Sequence, residues 1–169
     1  MSKSTKTLIL SHEEIVQKIT RMAWQIWENN TGSRPLILIG VENKGSIVAD
    51  LLHAELSEIS DLQVSIGSVA VDKEDPTLDN IRLSCEQPIA DANVVLVDDV
   101  LNSGKTLMYS TLPILAQNPH ALHTAILANR DHTRFPVKAD FVGISLATTL
   151  QEHIHFTRDD SGKMEVYLT

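Results

Sequence analysis

A short apolar run that ends in two acids constrains this fold more than any other part of the sequence. Residues 94–97 read Val-Val-Leu-Val, and Asp98 and Asp99 follow directly. An apolar run without polar alternation is typical of a strand covered on both faces, as in a parallel sheet. A helix is predicted next, over residues 104–115, so the strand runs through a short loop into a helix. This order predicts an α/β protein.

The rest of the chain repeats this alternation of strands and helices. An amphipathic helix is predicted over 11–29, where Ser11 and Glu14 have the spacing of a capping box. The other predicted elements are strands over 35–40, 64–71, 121–128 and 139–144 and a helix over 45–56. We therefore predict a parallel β-sheet flanked by helices, with the tail after Ser145 forming a small C-terminal hood.

Composition limits both size class and partners. The chain has 169 residues, 43% of them hydrophobic, which suits one domain spanning 1–169. Its 22 acids against 14 Lys and Arg give a net charge of -8, which disfavours broad binding to nucleic-acid phosphates. Cys85 is the sole cysteine, and no apolar run reaches the roughly 18 residues of a membrane span. Since the start also lacks a signal-like segment, we expect a cytoplasmic protein.

The loop after the acids has the features of an anion site. Residues 102–106 read Asn-Ser-Gly-Lys-Thr and open the predicted helix. A helix N-terminus presents N–H groups and a partial positive charge, so it favours a phosphate. Gly104 lets the backbone approach closely, and the hydroxyls of Ser103 and Thr106 add donors.

Two carboxylates beside a phosphate need partners of their own. Asp98 and Asp99 would repel the phosphate unless they face sugar hydroxyls or a divalent cation, and a phosphorylated ribose supplies both needs. A nucleotide-hydrolysing P-loop is the first alternative, but its motif requires glycine at the position of Asp99. Helix capping alone is the second alternative. One capping side chain would suffice, and two adjacent carboxylates at a strand end are costly without partners.

Residues 94–106 resemble the 5-phosphoribosyl diphosphate (PRPP) signature of the type I phosphoribosyltransferases, which has four apolar residues, two acids and a T/S-G-x-T loop. The resemblance covers nearly the whole chain and is strongest to the PyrR family, the pyrimidine-operon regulators that also act as uracil phosphoribosyltransferases. It includes PLILIGVENKGSIVADLL, NRDHTRFPVKADFVG and the Thr-Thr-Leu-Gln-Glu run at 148–152.

The resemblance implies a role for each part of the motif. It implies that Asp98 and Asp99 are catalytic, hold the ribose hydroxyls and bind Mg²⁺ as the cofactor of PRPP. Residues implied to hold the 5-phosphate are Asn102, Ser103, Gly104, Lys105 and Thr106. Those implied to hold the diphosphate are Asn43, Lys44 and Gly45, in a loop over 41–45 that often contains a strained non-proline cis peptide.

Lys44 and four further residues take roles from the resemblance. Lys44 stands where close relatives usually carry Arg, and the lysine lacks the planar bidentate fork of a guanidinium. The charged loop over 72–80 resembles a flap that closes over PRPP, and Lys73 falls near its basic residue. Arg130 is implied to be catalytic, through contact with diphosphate or base. Thr148 and Glu152 are implied to line the base pocket or to shape the hood.

The resemblance leaves several functions open. Purine enzymes of this type usually carry a further Asp at the position of Asn102 and a Lys near Asn129, and this chain has neither. Uracil is therefore the expected base, with a hypoxanthine or guanine enzyme as one alternative. An RNA-binding regulator is the other, disfavoured by the charge. We expect a homo-oligomer, and we interpret His132, His153 and His155 as surface or packing residues rather than zinc ligands.

Overall fold

The computed structural model describes residues 6–72, 74–149 and 151–169. Six strands form one sheet in the order β4-β3-β2-β5-β6-β7, and three form a second in the order β1-β9-β8. The elements are β1 (Thr7–Leu10), α1 (His12–Glu28), β2 (Leu36–Val41), α2 (Lys44–Ile59), β3 (Val64–Val71), a 3₁₀ turn (Leu78–Asn80), β4 (Ile81–Ser84), β5 (Asn93–Leu101), α3 (Lys105–Leu115), β6 (Ala121–Arg130), β7 (Phe141–Leu146), β8 (Ile154–Arg158) and β9 (Met164–Leu168).

The larger sheet is parallel from β3 to β7, as predicted. Its two central strands are buried because helices cover both faces: α1 and α2 lie on one and α3 on the other. Along β2 the side chains alternate between the two cores, with Leu36 and Leu38 in the first and Ile37 and Ile39 in the second. The predicted fold class is confirmed.

The first helix begins as its sequence predicts. Ser11 Oγ accepts a hydrogen bond from Glu14 N at 3.3 Å, and the Glu14 carboxylate accepts one from Ser11 N at 2.8 Å. This is the reciprocal capping box, which satisfies two N–H groups that the first turn leaves unpaired. The apolar stripe of Ile15, Ile19 and Ile26 is buried against the sheet.

The charged segment over 72–80 connects two strands of a hairpin. β4 pairs with β3 in antiparallel register, from Ser68 opposite Ser84 to Val71 opposite Ile81. The sequence analysis did not predict β4, since four residues are too few to establish a period. Ile81 and Leu83 of this strand pack on the second core, while Arg82 and Ser84 are exposed.

The tail after β7 forms the predicted hood, as an antiparallel sheet of β8 and β9 completed by β1. Phe156 and Val166 are fully buried and join the core shared by α1 and α2, which fixes the hood to the domain below it. The participation of β1 was not predicted. No helix among the described residues is long and apolar enough to cross a membrane.

Candidate active site

A cavity of about 450 Å³ lies at the carboxyl ends of β2 and β5, and we call it the strand-end cavity. The start of α2 forms one wall, the loop before α3 forms another, and the beginning of β8 in the hood closes a third side. Ligands of open α/β sheets bind at this edge, where the strand order places two helix N-termini side by side.

The two acids lie inside β5, which continues to Leu101 rather than ending before them. Asp98 pairs with Ile126 of β6, and Asp99 N donates to Asp98 Oδ1 at 2.9 Å. Both acids are half-buried and line the strand-end cavity. The paired strand holds them rigidly, so a ligand meets carboxylates that are already in place.

The loop between β5 and α3 is shaped by a glycine. Gly104 has φ of +83°, a region that other residues adopt only with strain, and a Cβ there would lie 2.5 Å from Val137 Cγ1. Ser103 O accepts hydrogen bonds from Arg134 N at 2.8 Å and Phe135 N at 3.1 Å. The segment after β6 therefore braces this loop, and the N-terminus of α3 opens on the cavity.

The loop between β2 and α2 approaches the acids from the other side. A Cβ on Gly45 would lie 2.9 Å from Val97 O and 3.0 Å from Asp98 Oδ1, so glycine is what allows this approach. Asn43 has φ of +71° and ψ of -109°, a strained conformation for a residue with a side chain. Every peptide bond of the described residues is trans, so the cis peptide that the resemblance suggested for this loop is not found, and that expectation is wrong. The strained backbone of this loop lies at Asn43 instead.

A second cavity, of about 1080 Å³, adjoins the first and shares Asn102, Ser103 and His153 with it. Its outer wall is the segment between β7 and β8, described at 147–149 and 151–153, which we call the strap. We call this second cavity the strap cavity. The segment after β6, with Asp131 and Arg134, forms its other wall.

Hydrogen bonds from side chains hold the strap in place. Arg130 Nε donates to Thr148 Oγ1 at 2.6 Å, and Arg130 Nη2 donates to Thr149 O at 2.6 Å. Thr149 N in turn donates to Glu152 Oε2 at 2.7 Å. This bond from the Thr149 amide is the main cause that lowers the pKa of Glu152 below its ordinary value.

Comparison with known proteins identifies the architecture. The model of the phosphoribosyl transferase domain family matches residues 6–160. The chain belongs to the phosphoribosyltransferase family. The match includes both helix N-termini, the acid pair and the start of the hood, which are the parts that build the two cavities.

Relatives and solved structures agree with this assignment. The Bifunctional protein PyrR of Deinococcus radiodurans is 35% identical over 160 residues, covering 87% of this chain and 85% of that protein. The Bifunctional protein PyrR 2 of Lactiplantibacillus plantarum is 32% identical, covering 82% and 84%. The hypoxanthine phosphoribosyltransferase of Trypanosoma cruzi is 21% identical with a TM-score of 0.78, covering 95% of each chain, and shows the same fold. The chain is thus a PyrR-like phosphoribosyltransferase.

Most residues to which the sequence assigned a role lie in this phosphoribosyltransferase's strand-end cavity. The lining residues among them are Asn43, Lys44, Asp98, Asp99, Asn102, Ser103, Gly104, Lys105 and Thr106. Gly45 is buried behind this wall. Arg130 lies apart from them, in the strap cavity, while Lys73 falls outside the described residues.

The structure adds residues that the sequence analysis did not place in a site. His153 and His155 line the strand-end cavity, although we interpreted them as surface or packing residues. The ring of His155 stacks on Tyr167 with centroids 5.1 Å apart, and its Nε2 lies 3.0 Å from Thr169 Oγ1. His153 directly precedes β8 and His155 lies within it, so the cavity that they line depends on how the hood folds back.

Proposed function

We propose that this phosphoribosyltransferase transfers the 5-phosphoribosyl group of PRPP to uracil, giving UMP and diphosphate. The observation that carries the proposal is the strand-end cavity, in which an acid pair lies between two helix N-termini. A ligand that fits there has anionic groups at both ends and hydroxyls between them, which describes PRPP.

In the proposed complex, residues 102–106 bind the 5-phosphate. Their backbone N–H groups lie at the start of α3, where the helix dipole favours an anion. The Ser103 and Thr106 hydroxyls and the Lys105 ammonium supply further donors. Asp98 and Asp99 accept hydrogen bonds from the ribose 2- and 3-hydroxyls, because ionised carboxylates act only as acceptors.

The diphosphate binds at the opposite wall, against Asn43, Lys44 and Gly45. Lys44 is exposed at the first position of α2, so its ammonium can follow the leaving group. Asp98 and Asp99 would hold Mg²⁺ here, since carboxylate oxygens are among the ligands that this ion prefers. When bound, the ion would supply positive charge that stabilises the departing diphosphate.

The reaction is a substitution at C1 of the ribose. The base nitrogen forms a bond to C1 as the bond from C1 to the diphosphate oxygen breaks, and the electron pair leaves with the diphosphate. The base nitrogen loses its proton in the same conversion. The protein contributes chiefly by holding the two substrates in line and by excluding water, which would otherwise hydrolyse PRPP.

The strap cavity is the proposed base site, because it adjoins the ribose position and is separate from the diphosphate wall. Asn102 and Asn129 occupy the positions where purine enzymes usually carry Asp and Lys, which supports a pyrimidine. Thr148 lines this cavity as part of its outer wall. The likeness to hypoxanthine enzymes is at the level of fold and leaves the base to be tested.

The test is diphosphate release by the purified chain with PRPP and Mg²⁺. Uracil, hypoxanthine and guanine are offered separately, and the Asp99→Asn variant is the matched control. We expect release with uracil alone, and a rate reduced about 100-fold or more in the variant, because an amide NH₂ donor replaces one of the two acceptor oxygens and the negative charge is lost.

Two outcomes would contradict the proposal. Release with a purine alone would retain the mechanism and overturn the choice of base. No release with any base, in a chain shown to be folded by circular dichroism, would overturn the proposed transfer itself.

RNA binding is a second candidate function, since the relatives above are named bifunctional proteins. Their second activity would need a basic surface, whereas this chain carries a net charge of -8. Titration of a labelled RNA stem-loop at several salt concentrations separates the cases. Saturable binding that weakens steeply with salt would establish RNA binding. We rank this function below the phosphoribosyl transfer. The same samples, analysed by sedimentation, test the proposed homo-oligomer.

A further inference from the structure

One arginine links the end of β6 to the strap. Arg130 is the last residue of β6, and its guanidinium reaches across to Thr148 and Thr149, 18 and 19 residues further along the chain. Both hydrogen bonds are 2.6 Å long and have a charged donor, which makes them short. The strap lacks a strand or helix of its own at its described residues; Arg130 holds its first end, and main-chain hydrogen bonds between His153 and Thr169 hold its last residue.

The acceptor of the first bond is itself buried. Thr148 is 8% exposed, and its hydroxyl takes the hydrogen bond from Arg130 Nε. Loss of the guanidinium would leave this buried hydroxyl without that hydrogen bond. An unsatisfied buried hydroxyl costs free energy, which favours a rearrangement of the strap. Arg130 therefore determines whether the strap can stay where it is.

The geometry commits one edge of the Arg130 guanidinium to the strap. Nε and Nη2 form one edge of the guanidinium, and this edge is one that binds a phosphate or carboxylate with two parallel bonds. Here that edge binds the strap. Arg130 also lies outside the strand-end cavity, where the diphosphate is proposed to bind.

We infer that Arg130 is a positioning residue for the nucleobase: it holds the strap so that Thr148 and Thr149 form the base-side wall. This inference rests on the proposed function and replaces the sequence-based expectation that Arg130 contacts diphosphate or base. Both threonines line the strap cavity, so release of this end of the strap changes the wall that the base meets.

A double-mutant cycle tests this role. Arg130→Met removes both hydrogen bonds to the strap, and Thr148→Val removes the one to the Thr148 hydroxyl. We expect Arg130→Met to raise KM for the base about tenfold and Thr148→Val to raise it less, with KM for PRPP within twofold of the parent in both. The double variant should match Arg130→Met, because residues that act through one link are not additive.

Arg21→Met is the matched control. Arg21 Nη2 donates to Val142 O at 2.9 Å and Gly143 O at 2.7 Å, so this variant also loses hydrogen bonds from an arginine to backbone carbonyls. Arg21 lies on α1, away from both cavities. The Arg21 variant should leave both KM values unchanged, which separates a positioning effect from a general loss of stability.

A second readout does not depend on catalysis. Hydrogen exchange of the amides at 147–149, 151 and 152 should accelerate about tenfold in Arg130→Met, accelerate less in Thr148→Val, and stay unchanged in Arg21→Met. If Arg130→Met does not fold, Thr148→Val gives the same measurement with a nearly isosteric change.

Three results would overturn the inference. The first is hydrogen exchange of the strap amides at the same rate in Arg130→Met and Thr148→Val as in the parent, whichever base the parent consumes. The second is an effect of Arg130→Met on KM for PRPP rather than base, with Thr148→Val harmless. The third is additivity in the double variant, which would mean that Arg130 touches the substrate. Failure of the proposed function is a separate result, seen as no transfer by the parent chain while strap exchange still responds to the variants.

Discussion

The two cavities are built by different means. The strand-end cavity is built by main-chain approach: Gly45 lies against Val97 and Asp98, and Gly104 lies against Val137. The strap cavity is closed by side-chain hydrogen bonds: Arg130 donates to Thr148 and Thr149, and the Glu152 carboxylate accepts from the Thr149 amide. Main-chain geometry tolerates very few residues at each position, whereas a side-chain link can be changed without altering the sheet. We therefore expect the phosphoribosyl side to be rigid and the base side to be adjustable.

This difference fits the chemistry proposed for each side. Charge on a departing diphosphate is stabilised best by groups already in place, since rearrangement during the reaction would cost part of the gain. A nucleobase is neutral and planar, and its choice depends on the few polar groups at its edge. Substitutions on the two sides should therefore differ in size and in which substrate they affect.

The largest expected effect is that of Gly104→Ala. A methyl group would lie 2.5 Å from Val137 Cγ1, at a residue with φ of +83°. We expect the free energy of unfolding to fall by about 1–3 kcal/mol and kcat/KM for PRPP to fall about 100-fold, because the phosphate loop is displaced. Thermal unfolding and initial rates measure the two effects.

Gly32→Ala is the control for that change, since no atom lies within 4 Å of a Cβ at residue 32. It should leave both quantities as in the parent. A Gly104→Ala variant with full activity toward PRPP would break the comparison, because it would show that the main-chain wall can adjust.

A smaller effect is expected at the exposed charge of the diphosphate wall. Lys44→Met should raise KM for PRPP about tenfold at low salt and less at high salt, since exposed charges are screened. Lys44→Arg should instead lower KM a few fold, because a guanidinium binds phosphate oxygens in pairs. KM for the base should not change in either variant. A change confined to KM for the base would show that Lys44 does not belong to the diphosphate wall.

The smallest expected effect is a pH dependence of the strap. The Thr149 amide bond holds the pKa of Glu152 below its ordinary value, so the ionised form is the stabilising one. That stabilisation is fully present above the ordinary pKa of a glutamate, about 4.3, and is lost as pH falls through the lower folded pKa. The carboxyl is fully exposed, so the effect is slight.

NMR titration of the Thr149 amide measures this pH dependence of the strap. The amide shift should move with a midpoint below that of an unperturbed glutamate, and Glu152→Gln should abolish the movement. A midpoint at or above the ordinary value would show that the strap is not tied through Glu152.

Much of this fold could be predicted from local sequence because its signals are strong at close range. The apolar runs at β2 and β5 and the capping box at Ser11 depend on neighbouring residues, and the structure has these elements within a few residues of the predicted bounds. β1 and β4 were missed for one reason: each has four residues, too few to show a period, and each is stabilised by pairing with another strand, β1 with β9 and β4 with β3.

The candidate site divides in the same way. The acids and the loop over 102–106 are contiguous, so one motif carries them. Arg130 and Thr148 are 18 residues apart, and no local pattern shows that they bond. The histidines were likewise visible as a pair but not as cavity residues.

The sequence by itself determined the order of the central strands and helices, the acid pair and the anion-binding loop, because burial, capping and glycine at a left-handed position act within a few residues. The tertiary structure alone decided which wall each distant side chain joins. It turned Arg130 toward the strap and brought the hood histidines over the strand ends, since those positions depend on how β8 and β9 pack against the core that α1 covers.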